Sequence, residues 1–283
     1  MKWRGRRQSQ NVEDRRRGGG KAAGGVGIVG LLAVLAIGYF TGMDVSGLLG
    51  NSGGQVQSSG GTGELSAEDQ AAGEFVSVVL ADTEVIWADI FERQVGRPYK
   101  PTTLVLFSGA TQSPCGNASG ATGPFYCPAD RKAYLDTAFF ATMQRKFGAT
   151  GDFAAAYVVA HEIAHHVQNE LGFLGQANQA RARMNQTDSN RVSVMIELQA
   201  DCFSGVWARE AETKLGTIQE GDLREAINAA KQIGDDTLQR NAGRTPMPHT
   251  FTHGTSEQRM RWFATGYQTG DINQCDTFSA REL

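Results

Sequence analysis

The sequence predicts an α+β fold that is mainly helical, contains a small sheet, and follows one transmembrane helix. Long stretches repeat apolar residues at helical spacing, two short runs have strand-like composition, and one run near the N-terminus carries no charge. We expect helices at 66–95, 137–147, 152–170, 190–214, 219–233 and 256–268, and strands at 102–107 and 131–136.

The first 64 residues divide into three predicted segments. Residues 1–21 carry eight Lys or Arg residues against two acidic ones, and residues 22–41 carry no charge. About 20 apolar residues cross the hydrocarbon core as a helix, and basic flanks stay on the cytoplasmic side. Residues 1–21 are therefore predicted to be cytoplasmic and 22–41 to be an anchor. Residues 42–64 are rich in Gly, Ser and Gln, which predicts a flexible linker before a folded domain at 65–283.

This organisation predicts a single-pass protein of the cell membrane whose domain is periplasmic or extracellular. A cleaved signal peptide is the alternative. We favour the anchor, because the apolar run is long for a signal peptide and no clear small-x-small cleavage site follows it directly. The net charge of −3 gives no indication of nucleic-acid binding, and the oligomeric state is not predicted.

The first helix and the strands are indicated by their boundaries and alternation. Ser66 is a typical helix cap, and Gly96 and Pro98 end the helix that follows it. The run KAYLDTAFF alternates as a strand and contains Tyr134 and Asp136. Such a strand could pair with an extended substrate through its backbone, but we expect a plain core strand.

The helix at 152–170 carries His161, Glu162 and His165 in HExxH spacing. Residues four apart share a helix face, so both imidazoles can bind one ion. Zinc with three protein ligands and an open fourth position lowers the pKa of a bound water towards 7, and the neighbouring Glu162 can accept the proton. The flanking residues are uncharged and predict burial, where these polar groups need a partner. We therefore predict Zn²⁺ as the cofactor and Glu162 as general base.

A third zinc ligand must come from another part of the chain. The extended pattern HExxHxxGxxH is excluded, because Gln168 and Leu171 stand where it requires other residues. Residues 193–210 form a strongly apolar helical stretch with Glu197 and Asp201 on one face. We predict that Glu197 is the third ligand and that Asp201 accepts the free ring N–H of a ligating histidine. Two exposed charges on an amphipathic helix are the alternative, which the apolar neighbours disfavour.

HEIAH followed by ELQAD resembles the gluzincin arrangement, in which a glutamate on a second helix completes the zinc site. GPFYCPAD, YLDTAFF, VVAHEIAHHVQ, ELQADCFSGVWA and HGTSEQRMRWF together resemble the bacterial family of putative neutral zinc metallopeptidases over nearly the whole chain. The resemblance implies a zinc-dependent peptidase acting on polypeptides, with His161, Glu162, His165 and Glu197 in the family's site. The predicted elements agree with a zincin-like α+β fold.

Three further residues are candidates for roles near this site. A histidine or arginine beside the zinc can stabilise the negative charge that develops on the substrate carbonyl, so His253 and Arg259 are considered. The alternative makes His253 a loop residue and Arg259 the partner of an acidic side chain. Thr255 or Ser256 is expected to cap the helix that follows. His166 points about 100° away from the ligand face, so we expect packing or hydrogen bonding rather than metal binding.

The four cysteines agree with an oxidising compartment outside the cytoplasm. We predict one disulfide between Cys115 and Cys127, closing a Gly-, Ser- and Asn-rich loop, and another between Cys202 and Cys275, which ties the C-terminal tail to the helix of Glu197. Four cysteines permit three pairings, and the sequence alone does not choose among them. Metal binding by the cysteines is disfavoured, because CxxC spacing is absent and HExxH already supplies a site.

The leading hypothesis is a membrane-anchored zinc endopeptidase with polypeptide substrates. A binding or assembly protein with a purely structural zinc is one alternative, and Glu162 argues against it because a structural site needs no base. A zinc hydrolase of another acyl bond, such as one in cell-wall material, is the other alternative. The predicted ligands are equally compatible with it.

Overall fold

The computed structural model describes residues 1–16, 65–119, 123–147 and 151–283. In chain order its elements are strand β1 (Val12–Asp14), helix α1 (Ala67–Ile90), strands β2 (Thr103–Phe107), β3 (Ala110–Ser113), β4 (Gly116–Ser119), β5 (Phe125–Cys127) and β6 (Lys132–Asp136), and helices α2 (Ala138–Phe147), α3 (Asp152–Leu171), α4 (Phe173–Arg181), α5 (Gln186–Thr213), α6 (Asp222–Gln232), α7 (Asp235–Asn241) and α8 (Ser256–Thr269). The expectation of a mainly helical α+β fold with a small sheet is confirmed.

The predicted anchor at 22–41 and the predicted linker at 42–64 lie outside the described residues. Within the described ranges, no helix combines the length and the apolar character that a membrane crossing requires.

The sheet has the strand order β1-β2-β6-β5. The first three strands are parallel and β5 is antiparallel to β6, while β3 and β4 form a separate hairpin. The two predicted strands are β2 and β6, in register with Leu104 opposite Ala133. Tyr134 and Asp136 are buried, and β6 is paired on both sides, so the core-strand interpretation holds. The unpredicted strands have three or four residues, too few for an alternating pattern.

The helix boundaries follow from capping side chains and glycines. Ser66 accepts a hydrogen bond from the backbone of Asp69 at the start of α1, as predicted. Gly172, at φ 88°, ends α3 in the left-handed conformation, but the chain re-enters a helix at once as α4. Thr255 caps α8 in a capping box with Gln258. Helix α7 was not predicted, because none of its seven residues is buried and it has no apolar face.

Helices α5 and α8 cross in backbone contact at two glycines. A Cβ atom added at Gly205 would lie 2.0 Å from the carbonyl oxygen of Phe263, and one at Gly266 would lie 1.8 Å from that of Cys202. Any side chain at either position would therefore force the helices apart. This close crossing brings the start of α8 against the face of α5 that carries Asp201.

Both predicted disulfides are present. Cys115 pairs with Cys127 at a Cα separation of 5.7 Å, and Cys202 pairs with Cys275 at 5.6 Å. The first joins the β3–β4 hairpin to β5. The second attaches the C-terminal segment to α5 one residue beyond Asp201, so it braces the helix that carries the predicted third ligand.

Residues 1–16 pack against the domain formed by residues 65–283 rather than forming a separate segment. Strand β1 pairs with β2, and Arg6 forms an ion pair with the buried Asp82 of α1. The α-amino group of Met1 contacts Asp152 and Asp222. These contacts join residues 1–16 to the domain that was predicted to begin at residue 65.

Candidate metal centre

The structure brings the three predicted ligands together where α3 meets α5. His161 and His165 lie one turn apart on α3, with ring centroids 4.8 Å from each other. Glu197 of α5 places one carboxylate oxygen 3.1 Å from His161 Nε2 and the other 3.5 Å from His165 Nε2. One ligand atom from each residue lies within 4.8 Å of the other two. The arrangement is the one that the sequence predicted, and metal binding there stays a prediction.

The donor set and its spacing fit zinc. Zinc–nitrogen and zinc–oxygen bonds of about 2.1 Å place neighbouring donors about 3.4 Å apart in a tetrahedron, close to the two separations observed. Burial alone lowers the pKa of His161, but hydrogen bonds with Asp201 and Glu197 raise it to about 10. The carboxylates thus make this buried position favourable for positive charge, which a divalent cation would supply.

Asp201 contacts His161 from behind, and its role as the support of a zinc ligand stays a prediction. Its carboxylate oxygen lies 3.0 Å from His161 Nδ1, which leaves Nε2 facing Glu197. Burial would raise the pKa of Asp201, but the charge of Arg259 and the hydrogen bond with His161 lower it below its ordinary value. The side chain therefore stays ionised and orients the ring of His161, whose Nδ1–H donates to it.

Arg259 belongs to this supporting network rather than to the surface of the site. Its guanidinium donates to both carboxylate oxygens of Asp201, at 2.8 Å and 3.0 Å. It also donates to the hydroxyl of Tyr157, which in turn donates to Asp201. Arg259 is 2% exposed, so the proposal that it stabilises a substrate oxyanion is wrong and the alternative, a partner for an acidic side chain, is correct.

Glu162 follows His161 on α3 and is 8% exposed. Burial raises the pKa of its carboxyl group, and the charges of His165 and His161 act in the opposite direction. A raised pKa suits a group that must accept a proton and later release it. The placement of Glu162 beside both histidines is consistent with the predicted general base.

His253 lies in the loop before α8, near enough to Glu197 for an electrostatic interaction between the two side chains. The adjoining Gly254 packs against Val194 and Leu198, on either side of Glu197 in α5. Burial lowers the pKa of His253, but the hydrogen bond with Asp235 and the charge of Glu197 raise it above the ordinary value. The side chain is 48% exposed, and its role in catalysis stays a prediction.

Asp235 fixes this loop and was missed by sequence reasoning. One of its oxygens accepts backbone hydrogen bonds from Thr252, His253 and Gly254 at 2.8 Å, 2.6 Å and 3.0 Å. The other oxygen lies 3.2 Å from His253 Nδ1. Asp235 begins a short, half-buried helix far from HExxH in sequence, so only the three-dimensional fold connects it with His253.

His166 has a structural role, as expected. Its Nε2 donates to the carbonyl oxygen of Lys100 at 2.7 Å, and its Nδ1 accepts from the hydroxyl of Tyr126 at 3.0 Å. Burial lowers the pKa of His166 to about 4. The ring is therefore neutral and points away from the predicted ligands.

A second group of carboxylates, Asp152, Asp222 and Glu225, lies at the start of α3. The α-amino group of Met1 contacts Asp152 and lies 3.3 Å from Asp222, and the backbone N–H of Phe153 donates to Glu225. Protein groups thus already meet part of this cluster's demand for positive charge and hydrogen bonds. It also lacks imidazole ligands, so it is the weaker candidate for zinc.

Comparisons with known proteins identify the family of this chain. The family model described as "Putative neutral zinc metallopeptidase" matches residues 1–278. The chain is 44% identical to "Uncharacterized protein YpfJ" of Escherichia coli K12, over 98% of this chain and 99% of that protein. It is 46% identical to "Uncharacterized protein Mb2605" of Mycobacterium bovis, over 65% of each chain. No solved structure gives a significant match. The chain therefore belongs to the putative neutral zinc metallopeptidase family.

Proposed function

We propose that this protein is a zinc-dependent endopeptidase that hydrolyses peptide bonds in polypeptides. The observation that carries the proposal is the convergence of His161, His165 and Glu197, with Glu162 on the same turn of α3. A purely structural zinc would not need a buried carboxylate with a raised pKa beside its ligands. The family assignment supports the same conclusion.

In the proposed reaction each residue has a distinct task. Bound zinc would act as a Lewis acid and lower the pKa of a water molecule held beside it. Glu162 accepts a proton from the attacking water and then donates it to the leaving amine. His253, held by Asp235, stabilises the negative charge that develops on the substrate carbonyl oxygen. Asp201 keeps His161 oriented throughout.

The proposal includes attachment to the cell membrane and a domain outside the cytoplasm. The uncharged run at 22–41 supports the attachment, since it is apolar enough to partition into lipid. The two disulfides support the location, because oxidising compartments preserve them.

Incubation of the purified full-length protein with an unfolded protein tests this function. We expect peptide fragments to appear, to be suppressed by a zinc chelator, and to return when zinc is restored. Mass spectrometry of the products, with cell-wall fragments in a parallel reaction, identifies the bond that is cut. Cleavage of the cell-wall material alone, or no cleavage with zinc bound, would contradict the proposal.

Replacing Asp235 by asparagine should lower kcat/KM about 10- to 100-fold, because His253 loses a charged partner that orients it. Zinc content should not change, since Asp235 does not contact the three proposed ligands. Rates on an unfolded protein substrate and metal analysis measure both quantities. Asp188→Asn, at an exposed position on α5, is the control and should match the parent. Parent-like turnover in Asp235→Asn would remove this dyad from the mechanism.

A further inference from the structure

The second histidine of the proposed site begins a buried chain of hydrogen bonds. His165 Nδ1 lies 2.8 Å from Gln168 Oε1. The amide nitrogen of Gln168 donates to the carbonyl oxygen of Ile196 at 2.7 Å and to Gln199 Oε1 at 3.1 Å. Gln199 Nε2 donates in turn to the carbonyl oxygen of Cys275 at 3.0 Å.

The acceptors in this chain determine the orientation of both amides. Backbone carbonyl oxygens only accept hydrogen bonds, so the NH₂ group of Gln199 must face Cys275 and that of Gln168 must face Ile196. The oxygen of Gln168 is then the atom that faces His165, and the proton of the imidazole must lie on Nδ1. Nε2 of His165, on the side of Glu197, is then the nitrogen that can bind a metal.

This series of hydrogen bonds is buried, and it ends at the backbone carbonyl of Cys275. Gln168 is 0% and Gln199 1% exposed, so water does not compete for these hydrogen bonds. Cys275 is held to α5 by its disulfide with Cys202. The disulfide thus positions the carbonyl oxygen of Cys275, the last acceptor in a series of hydrogen bonds that begins at the proposed zinc ligand His165.

We propose that Gln168 and Gln199 are positioning residues that hold His165 in its metal-binding tautomer, through an acceptor fixed by the Cys202–Cys275 disulfide. The inference rests on the proposed zinc site. His161 is oriented by a carboxylate, whereas His165 is oriented by neutral amides. The two proposed imidazole ligands therefore have different supports.

The zinc affinity of variants tests the role of the two glutamines. By competition with a chelator, Gln168→Leu should bind zinc about 10- to 100-fold more weakly than the parent, the usual effect of losing an outer partner of a metal ligand. Gln199→Met should bind roughly threefold more weakly, since one hydrogen bond behind Gln168 is lost. Gln179→Leu, at an exposed position of α4, should match the parent.

Two further measurements make the outcomes distinct. The visible spectrum of the cobalt-substituted protein should change in Gln168→Leu and not in Gln179→Leu, and circular dichroism reports whether each variant is folded. If Gln168→Leu is folded, a zinc affinity equal to that of the parent would overturn the proposal. If Gln168→Leu does not fold, a zinc affinity equal to that of the parent in Gln199→Met would overturn it. A parent protein that binds no zinc would instead contradict the proposed function and this role together.

An independent observation concerns residues 1–16. Asp82 of α1 is 5% exposed, and its carboxylate accepts a hydrogen bond from Arg6 at 2.8 Å. Ser9 and Ser77 exchange two hydrogen bonds, from backbone N–H to carbonyl oxygen and from side-chain hydroxyl to carbonyl oxygen. Residues 1–16 thus supply the cation that pairs with Asp82 and the strand that covers the edge of β2. The segment is therefore an integral part of the domain.

This packing restricts how the chain meets the membrane. The uncharged run at 22–41 is long enough for one crossing and too short for two, and residues 42–64 are polar. One crossing would separate Arg6 from Asp82 and β1 from β2. We infer that residues 1–16 and 65–283 lie on the same side of the membrane.

Single cysteine substitutions in the full-length chain test whether residues 1–16 and 65–283 lie on the same side of the membrane. All four native cysteines are in disulfides, so Gln8→Cys and Glu220→Cys each introduce one exposed thiol. A membrane-impermeant maleimide is applied to intact cells and, separately, after permeabilisation. Both thiols should react in the same condition. Reaction of one thiol before permeabilisation and of the other only afterwards would overturn the inference.

Discussion

Replacing Glu162 by glutamine should lower kcat about 1,000-fold while zinc stays bound. Glutamine has nearly the same shape as glutamate, so the packing of α3 should not change. The amide of glutamine cannot accept the proton of the attacking water. Burial raises the pKa of the Glu162 carboxyl group, whereas the glutamine side chain does not titrate. Hydrolysis of an unfolded protein and the zinc content of the same sample measure the two effects.

The control for this experiment is Glu74→Gln, a change of the same chemistry at an exposed position of α1. It should leave both turnover and zinc content unchanged. Unchanged turnover in Glu162→Gln would reject its assignment as the base. Loss of zinc in Glu162→Gln would assign the residue to the ligand set instead.

Replacing Glu197 by alanine should weaken zinc binding by more than about 100-fold, beyond the usual effect of losing an outer partner, because a direct ligand is removed. Its carboxylate contacts both histidines, and the charge of His165 and the hydrogen bond with His161 lower the pKa of Glu197 despite burial. The alanine variant leaves two imidazoles without that counter-charge. Metal analysis after dialysis against a weak chelator measures the loss.

Glu212→Ala serves as the matched control, since Glu212 is an exposed glutamate of the same helix. It should retain the zinc content of the parent. Full zinc occupancy in Glu197→Ala would exclude Glu197 as a ligand and leave the identity of the third ligand open.

The parts of the site that follow helical spacing could be predicted from the sequence. His161 and His165 share a face of α3, and Glu197 and Asp201 share a face of α5, because residues four apart lie one turn above each other. The uncharged neighbours of both pairs indicated that these faces pack against each other. The prediction that the two helices meet rested on spacing within each helix, burial of both, and the need of a zinc site for a third ligand.

Residues that act across longer distances could not be predicted in this way. Asp235 reaches His253 through the folding of a loop, and Arg259 turns inward to Asp201 because α5 and α8 cross closely at Gly205 and Gly266. No local pattern specifies either contact. For Gln168, its place three residues after His165 was a usable signal, since residues three apart are also neighbours on a helix.

The N-terminal segment makes contacts that charge patterning could not predict. Its basic residues resemble the cytoplasmic flank of an anchor, and this pattern accounts for the prediction at 1–21. In the structure, several of these cations have partners on the domain, including Asp82 for Arg6 and Glu84 for Arg7. Those partners lie about 75 residues away in sequence, and local composition cannot identify contacts at that separation.

Anomalous diffraction from crystals of the zinc-loaded protein, collected at the zinc absorption edge, tests the central claim most directly. We predict a peak about 2.0 to 2.2 Å from a nitrogen of His161, a nitrogen of His165 and an oxygen of Glu197, with a fourth position open to solvent. A peak at Asp152, Asp222 and Glu225 instead, or no peak between α3 and α5, would contradict the claim.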